Sequence, residues 1–98
     1  MLIGLLQVDL RLQDAVSISS KRGLLRSLQD RWRHDFGATV AEVDRAENPV
    51  ASVLAAALIG NDARWLETQL ARMVETAKRQ RDIDLVDYRI ELLEGHGA

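Results

Sequence analysis

The chain has 98 residues, 47% of them hydrophobic and 29% charged, with a formal net charge of −2 and no cysteine. That length suits a single domain, 1–98, with one two-layer core, and the composition is that of a folded globular protein and not of a disordered one. Disulfides, thiolate nucleophiles and cysteine-held metals are excluded. The longest apolar run, Val53 to Ile59, falls far short of the roughly 20 residues of a membrane-spanning helix. The opening Met1-Leu2-Ile3-Gly4-Leu5-Leu6 lacks the basic lead of a signal peptide. A cytoplasmic location without a membrane partner is therefore expected.

Residues 2–12 alternate. Leu2, Gly4, Leu6, Val8, Leu10 and Leu12 share one side, and Ile3, Leu5, Gln7, Asp9 and Arg11 the other, which predicts a strand with one fully apolar face. Ser19 or Ser20 is expected to cap a helix over about 21–36 whose stripe is Leu25, Leu28, Trp32 and Phe36, with Leu24 beside it and Gly37 as its left-handed terminator. A second strand follows over 38–44, with Ala41 and Val43 expected inward and Glu42 outward. Asn48-Pro49 marks a turn. Residues 50–59, apolar on both faces except for Ser52, predict a central third strand. Asn61 or Asp62 caps a helix over about 63–79, with Leu66, Leu70, Met73, Val74 and Ala77 as its stripe. A last strand over 83–93 alternates Val86, Tyr88, Ile90 and Leu92 with Asp87, Arg89 and Glu91, and Gly95 to Ala98 is expected to fray.

The order βαββαβ with right-handed crossovers predicts an α+β, ferredoxin-like two-layer sandwich: a four-stranded antiparallel sheet with both helices on one face. The opening Met1 to Leu12, the Ser17-Ile18-Ser19-Ser20-Lys21-Arg22 stretch, Arg26-Ser27-Leu28, Phe36, Val40-Ala41-Glu42-Val43, Asn61-Asp62 and Tyr88-Arg89-Ile90-Glu91 resemble the YlxP-like bacterial proteins of unknown function. The resemblance implies a ferredoxin-like fold and a cytoplasmic accessory role near RNA, translation or ribosome maturation, since such genes commonly lie beside those of factors such as ribosome-binding factor A. The chain departs from that pattern before its third strand, where Asn48-Pro49-Val50-Ala51-Ser52 stands in place of a Trp-Gln-Arg-Ala-like run.

Two surfaces are candidates for function. Residues 21–34 hold five basic residues, Lys21, Arg22, Arg26, Arg31 and Arg33, against the single acid Asp30. Of these, Lys21, Arg22, Arg26 and Arg33 are the candidate contacts for RNA or phosphate, because guanidinium groups at helical spacing can follow a phosphate backbone. The plainer account is a solvated helix face in which Asp30 pairs with Arg26 or Arg33. The second candidate is the open sheet face. It lacks the aromatic side chains on which RNA bases stack and instead offers Ile3, Leu5, Val53, Ala55 and Ala57, a surface suited to a second copy of the chain.

Enzymatic readings have few occupants. His34 stands on the charged side of the first helix and His96 in the tail, far apart in the chain. The glycine-rich phosphate cradle of acylphosphatases is replaced by Leu12-Gln13-Asp14-Ala15-Val16. Asp9, Asp87 and Glu91 can be matched by Arg11 and Arg89 in a cross-strand charge lattice. Trp32 is expected in the core and Trp65 half exposed. The expectation is a non-enzymatic binding or accessory protein, with no metal or cofactor, that meets RNA or a ribosomal surface and forms a homodimer through its open sheet. A homodimeric protein-interaction module without nucleic-acid binding is the alternative, and a small phosphate-ligand enzyme the third reading.

Overall fold

The computed structural model describes residues 1–13 and 17–95. Expectations for Asp14, Ala15, Val16 and residues 96–98 lie outside them, while Gly95, expected to fray, is held by its amide, which donates to the Met1 carbonyl at 2.9 Å. The elements are β1 (Leu2–Leu12), α1 (Ile18–Phe36), β2 (Thr39–Asp44), β3 (Ala51–Gly60), α2 (Ala63–Arg79) and β4 (Ile83–Glu94). The strands form one antiparallel sheet in the order β2-β3-β1-β4, and both helices pack on one side of it. This is the ferredoxin-like arrangement that the pattern of elements predicts.

The inner layer follows the periodicities of the sequence. Leu6, Val8, Leu10 and Leu12 of β1 and Leu54, Ala56 and Leu58 of β3 meet Leu25, Leu28 and Trp32 of α1 and Leu66, Leu70, Met73, Val74 and Ala77 of α2. Each large aliphatic side chain so buried contributes on the order of 2 kcal/mol. Trp32 is fully buried, and its indole Nε1 donates to the Met73 carbonyl at 3.1 Å, which ties the two helices together. A Cβ at Gly4 would lie 2.8 Å from Cδ1 of fully buried Leu70, so a side chain there would have to displace Leu70 within a filled layer.

Local signals set most boundaries. Asp62 accepts from the Trp65 amide at 3.1 Å and opens α2. Gly37, at φ 67°, closes α1 by donating to the carbonyls of Arg33 and Trp32. The cap of α1 is neither Ser19 nor Ser20. Ser17, in extended backbone, accepts from the Ser20 amide at 3.1 Å, and the helix begins almost one turn earlier than its apolar stripe indicates.

Two edge strands depart from simple alternation. In β2 the expected inward pair, Ala41 and Val43, lies outward. Val40 is buried opposite Ala56, Ala41 faces Ala55 on the open side, and Glu42 turns toward the helices. In β4 the register shifts between Asp9 and Leu10 of its neighbour, so that Asp87 lies opposite Asp9, Leu85 opposite Leu10, and Val86 is the extra residue. Such a bulge inverts the alternation beyond it. Leu85 and Ile83 therefore take the inward places, while Val86 is 66% exposed.

Candidate functional site

The basic stripe on α1 is less uniform than its spacing suggests. Lys21, a candidate phosphate contact, is 1% exposed. Its Nζ lies 2.9 Å from Glu42 Oε2 and donates to the carbonyls of Arg45 at 2.6 Å and Ala46 at 3.3 Å, while Ser52 Oγ donates to the same Glu42 oxygen at 2.5 Å. The three protons of the ammonium thus meet three oxygens, which is what makes a buried charge tolerable. Lys21 is withdrawn from the solvent face and joins α1, β2, β3 and the turn after β2. The network also explains the inverted register of β2, since Glu42 must face inward to reach the lysine. The sequence carried a signal for it: Lys21 sits four residues before Leu25 on the apolar stripe, and Ser52 is the one polar residue on the inner side of β3.

Arg33 is also engaged. Its guanidinium lies 3.6 Å from Asp30 and donates to the Val40 carbonyl at 3.2 Å, against the edge strand β2. Arg22 and Arg26 remain exposed on the same flank, and among the described residues neither has an ion-pair partner. Of the four candidates, two project freely, one braces β2 and one is core.

On the other side of the sheet, Ile3, Leu5, Ala55 and Ala57 lie partly exposed, bounded by Ile59 (67% exposed), Leu93 and Val43. Cross-strand partners place them together: Ile3 lies between Ile59 and Leu93, and Leu5 between Ala57 and Glu91. Val53 belongs to this face by register but is only 6% exposed. The apolar residues occupy the end of the face where β1 begins, and Asp9, Arg11, Asp84, Asp87 and Arg89 occupy the other end. The expected cross-strand lattice does not form as ion pairs. Asp9 and Asp87 stand opposite each other, and the ion pairs among the described residues are all elsewhere. Like charges so placed repel.

Trp65 is half exposed and lies against Gly60. A concavity of about 380 Å³ opens at the charged end of the sheet, beside Asp9, Arg11, Arg45, Val50 and Val86. Among the described residues no three His, Asp or Glu side chains are grouped as metal ligands, and no helix is long and apolar enough to cross a membrane.

Three solved structures share this architecture. A de novo designed protein, Foldit4, aligns with a TM-score of 0.55 at 12% identity over 96% of this chain and 99% of its own. An antibiotic biosynthesis monooxygenase aligns at 0.52 with 15% identity over 99% and 100%. The Arabidopsis thaliana protein At3g17210 aligns at 0.54 with 9% identity over 100% and 98%. At such identities the likeness is one of fold, and it spans a designed protein and an enzyme alike. No curated protein matches the sequence. The family model that does match, over residues 3–90, covers every element from β1 into β4, and the chain therefore belongs to DUF503, a family of proteins of unknown function.

Proposed function

We propose that this chain is a non-catalytic binding protein that acts as a homodimer, with the open sheet face of one copy on the same face of another. The observation that carries this reading is the contiguous apolar end of that face, built by Ile3, Leu5, Ala55, Ala57, Ile59 and Leu93 on three adjacent strands. A second copy is the favoured occupant because the face is divided lengthwise into an apolar and a charged end. A two-fold axis parallel to the strands superposes apolar on apolar and sets the mixed acids and arginines against each other. An axis across the strands would press the apolar end onto charges, which desolvation disfavours.

Sedimentation equilibrium between about 10 and 500 µM tests the reading. Wild type is expected at twice the chain mass, and Ile59→Asp, a change at an exposed position that leaves the core untouched, at the mass of one chain. A wild-type monomer throughout that range would overturn it.

A second reading, the accessory role near RNA implied by the YlxP-like resemblance, draws support from Arg22 and Arg26, which project from α1 without carboxylate partners among the described residues. With Lys21 buried and Arg33 braced, the surface offers few phosphate contacts, so weak binding is expected, with a shallow dependence on salt. Fluorescence anisotropy of a single-stranded RNA at about 50 and 200 mM salt, with wild type beside Arg22→Ala/Arg26→Ala, decides it. Binding equal in both proteins, or absent from both, returns these arginines to the solvated face.

A further inference from the structure

We propose that the concavity at the charged end of the sheet binds a small organic acid, held by Arg11 and Arg45 through its carboxylate. Two irregularities of the chain meet there. The β4 bulge turns Val86 outward beside Arg11, and β2 ends in a second register shift, between Glu42 and Asp44, after which Arg45 takes a left-handed φ of 59°. An arginine in that conformation is strained, because its Cβ crowds the backbone where glycine would not.

The strain is held in place by hydrogen bonds of both backbone groups of the residue. The Arg45 amide donates to Asp44 Oδ1 at 2.7 Å, and its carbonyl accepts from the Asn48 amide at 3.1 Å and from buried Lys21 at 2.6 Å. The core lysine thus anchors the turn that carries Arg45 to the rim of the concavity. Strained residues over-determined by their surroundings concentrate at binding sites.

The chemistry of the lining selects the ligand. Among the described residues neither Arg11 nor Arg45 forms an ion pair, although Asp9 lines the same concavity. Two planar guanidinium forks suit a carboxylate. Val50 (41% exposed) and Val86 (66% exposed) supply an apolar wall for a short aliphatic body. Asp9 can accept from a hydroxyl beside the carboxylate, which favours a 2-hydroxy acid over its unsubstituted counterpart. The volume of about 380 Å³ lies within the range of small-ligand sites.

Amide shifts in ¹⁵N spectra test this with 2-hydroxyisovalerate, isovalerate and inorganic phosphate as probes. Saturable shifts at residues 9–11, 45, 50–52 and 86 are expected with 2-hydroxyisovalerate, and weaker ones with isovalerate. Apparent affinity should fall at least tenfold in Arg11→Gln and in Arg45→Gly, whose backbone suits the turn, but not in Arg64→Gln. Ile59→Asp, in which no second copy covers the charged end, should bind at least as tightly as wild type and show the same losses on Arg11→Gln and Arg45→Gly, so the site stands or falls apart from self-association. No saturation at millimolar ligand, equal affinity in the arginine variants, or saturation by phosphate alone would each overturn the proposal.

Discussion

Lys21 occupies a place that a leucine could fill by pattern, yet its ammonium is surrounded by Glu42 and the carbonyls of Arg45 and Ala46. Removing one member of such a set leaves the others without partners, and that loss exceeds the net worth of the pair. Lys21→Met is expected to cost about 2–4 kcal/mol, the lower part of the range reflecting that Glu42 keeps some contact with water. Lys21→Met/Glu42→Met should lose markedly less, because both charges leave together. Urea unfolding of the three proteins checks this; a double variant no more stable than the single one would show that the carbonyls, and not the carboxylate, set the cost. Arg45 is bound to the same network through its carbonyl, so residues remote in sequence share one determinant.

Helices and strands were legible to different degrees. Both apolar stripes appear as the 3.6-residue period requires, and α2 begins and ends where its cap and basic last turn place it. Two glycines separate local from tertiary requirements at this scale. Gly23 lies within α1 with nothing within 4 Å of where a Cβ would stand, so Gly23→Ala is expected to stabilise the protein by about 1 kcal/mol through helix propensity. Gly4 is inside a strand, but a methyl group there meets Leu70 in a filled layer, and Gly4→Ala is expected to destabilise by about 1–3 kcal/mol. Thermal unfolding of the two variants should move in opposite directions. If Gly4→Ala were neutral, the close approach of α2 to β1 would not be a constraint on the fold.

For the whole molecule, a sheet covered by helices on one side leaves the other to solvent or to a partner. The proposed self-association through that side would link stability to concentration, because a dimer that forms only from folded chains is favoured by mass action. The unfolding temperature of wild type is expected to rise as chain concentration is raised from about 5 to about 500 µM, and that of Ile59→Asp to stay constant. Two constant values would argue that the apolar end of the open face has no second copy as its cover.

Local pattern determined the order of elements, both helix stripes, the inner face of β1 and the central place of β3, because 3.6- and 2-residue periods record directly which side of each element is dry. It also marked Ile3, Leu5, Ala55 and Ala57 as facing away from the helices. Tertiary structure decided the register of β2, the bulge of β4 and which oxygens the Lys21 ammonium meets. Each depends on partners distant in sequence: Glu42 turns inward because a lysine from α1 waits there, Val86 turns outward because β4 carries one residue more than β1 can match, and Arg11 and Arg45 line one concavity where the irregular ends of β2 and β4 lie.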